Sequence, residues 1–454
     1  MSPKSPCRLG AGLVVVLVAV GCGREFEALK PVPPNTDPVV FDDAFGDAVD
    51  FQAFLGSKVD ALDIDTNEAF EGSASLKVTV PGPGDPSGGF AGGAFPTFLA
   101  RDLSGYDALT FWAKSSVPST LNIAGLGNDN TGTSLFEASW SDIPLTTAWG
   151  KVIVAIPLPD RLTSERGLFF FAEGPEGGVG HTIWFDEVRF ESVGAISNPR
   201  PVMPRQTLNA IVGATVSVTG TQTILDVAGS NRTIDHQPGY FTFASSNTDV
   251  ATTTGAVIRV VGAGDAIITA KLGPVDAVGE VTLSATSPPM TAAPAPTLAA
   301  RDVISLYSNA YTNVRVDTWS AVWDRADVSD LKIASDDVKA YTNLVFAGVE
   351  FTSETIDASQ MTHFHMDVWV PEGSEFRVKL VDFGADGTFG GAPDSEHELV
   401  FNAGSNPALE IGTWVALDVP LSAFTRLSAV EHLAQLVLGG NTGTAFVDNV
   451  YFHK

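Results

Sequence analysis

The sequence predicts an all-β protein built from β-sandwich modules, and three observations support this prediction. Of the 454 residues, 44% are hydrophobic and only 17% are charged, so the chain can bury cores. Its 44 glycines and 28 prolines supply many turns. Short apolar runs alternate with polar residues at a period of two, which is typical of antiparallel strands with one buried face. Such strands need a second sheet to cover their apolar side, so we expect two-layer jelly rolls.

The first 22 residues have the layout of a secretory signal. Lys4 and Arg8 precede an apolar run at residues 9–20, which is shorter than the roughly 20 residues of a membrane span. Residues 17–22 (LVAVGC) resemble a bacterial lipobox, and this resemblance implies that Cys22 is lipidated. We therefore expect a secreted protein that is lipid-anchored to the bacterial outer membrane, at the cell surface. An ordinary cleaved signal is the alternative. Residues 23–38, with four prolines, are expected to be an extended tether.

The body of the chain contains a diverged repeat. Residues 109–113 (LTFWA) correspond to residues 364–368 (FHMDV), 255 positions later, and the same offset joins residues 121–123 to 376–378. Both copies also end alike, with WFDEVRF at 184–190 and FVDNVYF at 446–452. We therefore interpret residues 39–194 and 301–454 as two copies of one fold.

The first copy resembles the galactose-binding-like carbohydrate-binding jelly rolls that are attached to bacterial glycoside hydrolases. The likeness lies in residues 70–78 (FEGSASLKV), 102–109 (DLSGYDAL) and 185–188 (FDEV). The second copy, through residues 303–308 (VISLYS) and 446–452, resembles the C-terminal accessory modules of laminarinase-like hydrolases. Both resemblances imply polysaccharide binding.

The insert at residues 199–287 resembles a bacterial group 2 immunoglobulin-like domain. The segments TFASSN at 242–247 and GAGDAIITA at 262–270 carry this likeness, which implies a spacer or adhesive module. Residues 288–300 read as a Pro/Ala linker. The complete predicted fold is two jelly-roll β-sandwiches with an immunoglobulin-like β-sandwich between them.

The charge and motifs exclude two classes of function. A net charge of −27 argues against nucleic-acid binding, which needs clusters of Lys and Arg. Asp63 and Asp65 share one face of a predicted strand, but no domain of catalytic size surrounds this carboxylate pair. Residues 396–398 (EHE) lack the second His of a zincin site. We therefore predict that the protein is not an enzyme.

Candidate sugar-binding residues follow from the alternation. Sugars present apolar faces and a rim of hydroxyls, so their sites combine aromatic rings with planar polar groups. One outward face is expected to hold His363, His365, Asp367, Trp369, Arg377, Lys379 and Gln435. The matching candidates in the first module are Trp112 and Asn122. The alternative for both modules is a solvated sheet face.

Calcium is the one expected cofactor. Jelly rolls of the resembled family often hold a structural Ca²⁺ between the first and last strands. This implies carboxylate ligands at Asp42, Asp43 and Asp186 in the first module and at Asp448 in the third. The alternative is that these side chains cap backbone amides in turns.

Taken together, these features predict non-catalytic binding of surface polysaccharide, with a glycoside hydrolase or a transporter as partner. The membrane would be contacted through the lipid anchor only. The alternatives are a cell-surface adhesin or structural envelope protein, and an accessory subunit of a polysaccharide-degrading complex. The sequence does not identify the glycan, nor whether one or both jelly rolls bind it.

Overall fold

The computed structural model describes residues 34–391 and 393–454. The signal segment and Cys22 lie outside the described residues. The described chain has 31 strands, and its helical content is limited to five one-turn 3₁₀ helices. These helices are Pro159–Arg161, Pro238–Tyr240, Ala300–Asp302, Gly384–Asp386 and Leu421–Ala423. The predicted all-β, β-sandwich fold class is confirmed. Within these two ranges no helix is long and apolar enough to cross a membrane.

The first module is a sandwich of two antiparallel sheets. Its strands are β1 (Val39–Asp42), β2 (Ala44–Phe45), β3 (Gln52–Ala53), β4 (Leu62–Asp65), β5 (Ser75–Val80), β6 (Ala91–Arg101), β7 (Ala108–Ser115), β8 (Ser119–Leu126), β9 (Ala138–Leu145), β10 (Gly150–Ala155), β11 (Glu165–Glu173) and β12 (His181–Glu191). One sheet has the order β10-β7-β12-β1-β2, with β5 paired to β12 and β4 paired to β5. The other contains β9-β8-β11-β6-β3. Between them lies a cluster of fully buried rings that includes Phe95, Phe111, Phe169 and Phe185.

The middle module adds eleven strands. They are β13 (Ile196–Val202), β14 (Gln206–Ile211), β15 (Thr215–Ser217), β16 (Thr221–Val227), β17 (Ser230–His236), β18 (Thr242–Ser245), β19 (Ala251–Thr254), β20 (Val257–Val260), β21 (Gly264–Leu272), β22 (Val275–Asp276) and β23 (Val281–Thr286). Strands β14, β23, β21, β18 and β22 form one sheet, and β15, β20 and β19 form another. Every second residue is buried along β16, and also along β21 from Ala266 onward, as the period-two pattern of the sequence requires.

The middle module is built directly onto the first. Its strands β13, β16 and β17 extend the second sheet of the first module, because β17 pairs with β9 through Asp235–Ser139 and His236–Ala138. The Tyr240 hydroxyl donates a hydrogen bond to the Phe136 carbonyl over 2.7 Å. Buried residues of the two modules also form one continuous hydrophobic core. The first two modules therefore share both a sheet and a core.

The third module uses two long strands in both layers of its sandwich. Its strands are β24 (Val303–Tyr307), β25 (Arg325–Ile333), β26 (Asp336–Glu350), β27 (His363–Trp369), β28 (Phe376–Asp382), β29 (Ser395–Phe401), β30 (Trp414–Pro420) and β31 (Leu433–His453). Strand β31 pairs with β28 near its start and with β27 near its end. Phe364 and Met366 of β27 and Val378 and Leu380 of β28 fill one core from its two sides.

The third module contacts both the middle module and the segment that connects them. The Asn209 backbone N–H donates to Asn343 Oδ1 over 2.8 Å, and Ile211 packs in a small cluster with Phe446. The Trp414 indole N–H donates to the Thr291 carbonyl over 2.8 Å. The Pro/Ala segment therefore packs on the outer surface of the β27–β30 layer.

Candidate functional site

A groove with a volume of about 870 Å³ lies on the outward face of the other layer of the third module, across β26, β31, β28 and β29. The strand register arranges the outward residues in rows. Successive rows are Glu350–Gln435–Val381–Glu396, Gly348–Val437–Lys379–Glu398 and Phe346–Gly439–Arg377–Val400. Adjacent strands lie about 4.8 Å apart, so a row spans roughly 14 Å. The whole of the first row and three residues of each of the other two rows line the groove.

An exposed tryptophan forms one wall of this groove. Trp323 is 44% exposed, and its indole N–H donates to Glu350 Oε1 over 2.9 Å. A Cβ atom on Gly348 would overlap Trp323 Cη2, so the indole lies directly against bare strand backbone. The ring of Phe346 stacks beside it, with the centroids 6.2 Å apart and the planes 19° from parallel. The indole is thereby held in one orientation.

Polar side chains form much of the floor of the groove. Arg377 donates to Glu375 Oε1 over 2.6 Å and to Glu398 Oε1 over 3.1 Å. Lys379 donates to Glu396 Oε1 over 3.0 Å. The Gln435 amide donates over 3.1 Å to the same Glu350 oxygen that accepts from Trp323. These side chains hold one another in place while remaining accessible to a ligand with hydroxyl groups.

A second aromatic pair lies at the other end of the groove. Phe389 is 66% exposed and packs against Phe383, with the ring centroids 5.6 Å apart. Phe383 in turn contacts Val381 of the floor. The groove therefore has aromatic surface at both ends and a hydrogen-bonding floor between them.

The structure places the predicted sugar-binding residues of the third module on two opposite faces of the sandwich. Arg377, Lys379 and Gln435 do lie together, in the groove. The expectation that they share a face with the residues of β27 is wrong, because β27 and β28 lie in opposite layers of the sandwich. Side chains that point outward from these two strands therefore point away from each other.

The outward residues of β27 are engaged by their own neighbours. Asp367 is only 3% exposed and accepts a hydrogen bond from Asn449 Nδ2 over 2.9 Å. The imidazole of His365 stacks on the Tyr451 ring at 4.4 Å, and that of His363 stacks on His453 at 5.1 Å. Trp369 packs edge-on against Phe446 in the cluster beneath the Pro/Ala segment.

The two candidates of the first module are also separated. Trp112 lies on β7 and stacks on Phe70 with the centroids 3.7 Å apart. Asn122 lies on β8 of the opposite sheet, where its side-chain oxygen accepts the Gly174 N–H over 2.7 Å. The expectation that they act on one ligand is therefore wrong, since the register places them in different sheets.

A buried acid lies next to Asn122. Glu173 accepts the Asn122 backbone N–H over 2.7 Å, and its other oxygen is 3.3 Å from His181 Nε2. Both side chains are at most 2% exposed. Burial raises the pKa of Glu173 to about 7 and lowers the pKa of His181. A proton on Glu173, rather than an ion pair, is therefore favoured at this position.

The calcium candidates of the first module fit the turn-capping alternative. Asp42 pairs with Arg189 over 2.9 Å. Asp43 accepts the N–H of Ala74 over 2.8 Å. Asp186 accepts the N–H groups of Phe70, Glu71 and Glu187. Donors therefore engage at least one oxygen of each carboxylate, and Asp43 and Asp186 cap backbone amides; calcium at these residues stays a prediction.

Asp448 differs from these residues. Its Oδ1 accepts the Asn449 N–H over 2.7 Å, whereas Oδ2 is buried with no hydrogen-bond partner. Burial, together with the carboxylates of Asp336 and Asp367, raises the pKa of Asp448 to about 8. Across residues 34–391 and 393–454, no group of three His, Cys, Asp or Glu side chains is arranged to hold a metal ion. Calcium at Asp448 therefore stays a prediction.

Comparison with known proteins shows likeness to solved structures only. No family model matches the chain, and no curated protein matches it. A family 11 carbohydrate-binding module of a Clostridium thermocellum cellulosomal cellulase is 13% identical, with a TM-score of 0.25, and the match covers 33% of this chain and 94% of that one. The N-terminal tandem CBM22 domain of a Paenibacillus barcinonensis protein is 11% identical, with a TM-score of 0.22, covering 93% and 98%. A β-1,2-glucanase of Parabacteroides distasonis is 14% identical, with a TM-score of 0.24, covering 57% and 40%.

Sequence reasoning missed the aromatic walls of the groove. Trp323 lies before β25 in a segment without alternation, and Phe389 lies in the loop between β28 and β29. The signal for Trp323 was indirect. Gly348 and Gly439 interrupt apolar strands, and a glycine inside a strand often marks a place where another group approaches the backbone.

Proposed function

We propose that this protein binds neutral polysaccharide, without catalysing a reaction on it, in the groove of the third module. One observation carries this proposal: the Trp323 indole is exposed and held against Gly348, directly beside the Glu350–Gln435 hydrogen bond. The apolar face of a sugar ring can stack on the indole while its hydroxyls bond to the carboxylate and the amide.

The charge of the groove favours neutral over anionic glycans. Glu350, Glu375, Glu396 and Glu398 line it together with only two cationic side chains, and the whole chain carries a net charge of −27. An acidic polysaccharide would be repelled both at the groove and over the whole surface. Hydroxyl groups, in contrast, donate well to carboxylate oxygens.

The groove carboxylates also support a non-catalytic role. A glycoside hydrolase uses two carboxyl groups on either side of the bond that is cleaved, one of them as a proton donor. Here Glu396 and Glu398 are each engaged by a cation on the neighbouring strand. They serve to orient Lys379 and Arg377 rather than to form an acid–base pair.

We extend the proposal to the cellular setting on the sequence of residues 1–22 alone. The lipobox-like segment supports a lipid-anchored protein of the bacterial outer membrane that captures polysaccharide for a hydrolase or a transporter.

Affinity electrophoresis of the purified chain tests the proposed function. Gels would contain mixed-linkage β-glucan, laminarin, xylan, galactomannan or alginate. We expect retardation by at least one of the four neutral polysaccharides, loss of that retardation in Trp323→Ala, and no retardation by alginate. Free migration in all four neutral gels would contradict the proposal and favour an adhesin or envelope role.

A further inference from the structure

We propose that the middle module forms part of the same polysaccharide site. The groove of the third module continues into a second, polar cavity, whose far wall is strand β14 of the middle module. This inference rests on the proposed function and deepens it. It assigns the middle module a role in determining how long a segment of the polysaccharide is recognised.

The two cavities adjoin one another. The second has a volume of about 770 Å³ and shares Val345, Gly440 and Asn441 with the groove. Thr207 and Asn209 of β14 line it from the middle module. A polysaccharide chain that leaves the groove beside Asn441 therefore enters the space between the two modules.

Two glycines lie where neighbouring groups approach the backbone closely along this passage. Gly440 and Gly443 line the second cavity and carry no side chain. A Cβ on Gly440 would overlap the Glu375 carbonyl oxygen, and a Cβ on Gly443 would lie 3.2 Å from Asn209 Nδ2. The Asn209 amide thus lies close to the backbone of the third module, at the junction that the polysaccharide would cross.

The two walls of the second cavity are held in register. The Asn209 backbone N–H donates to Asn343 Oδ1 over 2.8 Å, and Asn343 Nδ2 donates to Asp327 Oδ2 over 2.7 Å. Ile211, two residues further along β14, packs with Ile333 and Phe446. The protein groups that a ligand would contact across both modules are therefore already held in place, so binding costs little conformational entropy of the protein.

The chemistry of the second cavity suits a hydroxyl-rich ligand. Its side chains include the Thr207 hydroxyl, the Asn209, Asn343 and Asn441 amides, and the Asp327 carboxylate. It offers little aromatic surface compared with the groove. We infer that the groove supplies the stacking platform and that the second cavity adds hydrogen bonds to sugar units further along the same chain.

Calorimetry with ligands of two lengths tests this inference. The probes are the tetrasaccharides and octasaccharides of mixed-linkage β-glucan, laminarin, xylan and β-mannan, titrated into the full chain. One or two added hydrogen bonds should make the octasaccharide bind about five- to tenfold more tightly than the tetrasaccharide. In Thr207→Trp, which fills the second cavity, this ratio should fall to about one. Asn209→Ala, which keeps the backbone hydrogen bond to Asn343, should lower the ratio about threefold.

The controls separate the two levels of the proposal. Thr254→Trp places the same bulky side chain on an exposed site of the middle module that lines neither cavity, and should keep the wild-type ratio. Trp323→Ala should weaken both lengths. If Thr207→Trp and Asn209→Ala keep the wild-type ratio, the inference is overturned while the proposed function stands. If no probe of either length binds, the proposed function fails, and the inference fails with it.

Discussion

Replacing Trp323 by alanine should weaken polysaccharide binding about ten- to a hundredfold. The side chain is 44% exposed, and a tryptophan has at most roughly 250 Å² of surface, so about 110 Å² is available to a ligand. At about 25 cal/mol per Å², covering half to all of this surface contributes roughly 1.4 to 2.8 kcal/mol. Each 1.4 kcal/mol corresponds to about a factor of ten in Kd.

Titration calorimetry with the neutral polysaccharide that retards the wild type would measure this loss. Val322→Ala is the matched control, because the neighbouring valine is fully exposed and does not line the groove. Circular dichroism would establish that each variant is folded. A folded Trp323→Ala variant whose Kd stays within about twofold of the wild type would refute the assignment of the stacking platform.

A second variant tests the position of the indole by adding a methyl group next to it instead of removing the indole. Gly348→Ala leaves Trp323 in the sequence but places a methyl group where the indole lies. We expect it to displace the ring and to weaken binding to a similar extent. Gly439→Ala, in the adjacent row, is the control: it adds the same methyl group to the groove, but the nearest neighbour of that methyl group would be the Val345 carbonyl oxygen at 3.3 Å, so the indole would stay in place. Equal affinities of the two variants would contradict this account of how Trp323 is positioned.

Three further predictions concern stability. The raised pKa of Glu173 means that its protonated form favours folding, so this stabilisation of the wild type is lost as the pH rises from 4.5 to about 7. Glu173→Gln does not lose it. Its advantage in free energy of unfolding over the wild type should therefore grow across this range, to at most roughly 3 kcal/mol, and stay constant at higher pH. A stability difference that is independent of pH in thermal unfolding would contradict this. Trp112→Ala should lower the free energy of unfolding in urea by about 2 kcal/mol through loss of its stacking on Phe70, while polysaccharide affinity is unchanged; a loss of affinity would restore the first module as a binding site. Calcium should raise the Tm of the wild type and not that of Asp448→Asn, and the absence of a shift in the wild type would remove calcium from this position.

Alternation predicted which side of each strand is buried. Phe364, Met366 and Val368 point into the core, whereas Arg377 and Lys379 point outward, as a period of two requires. Alternation could not predict which layer each strand joins. That depends on β31, which is 21 residues long and serves both layers. Pairing between strands that are far apart in the sequence is not visible in the alternation of apolar and polar residues. Residues that point away from each other are therefore predicted to share one face.

The site was accessible to sequence reasoning in part. Its strand residues, Arg377, Lys379 and Gln435, were found because polar side chains between apolar ones indicate an outward face. The aromatic walls were missed because loops carry no periodic signal. Asp367 and Trp369 were assigned to an open surface because nothing in the sequence indicates that the Pro/Ala segment packs over that layer.

The pairing of β17 with β9 determines where this chain can be cut. A fragment that ends at residue 194 would lose the hydrogen bonds of β17 to Ser139 and Ala138. It would also expose Phe136, which packs edge-on against Tyr240. Bare strand edges beside apolar surface promote self-association. The first module should therefore be expressed or exchanged only together with the middle one. The module boundaries that sequence similarity indicates are poor places to divide the protein.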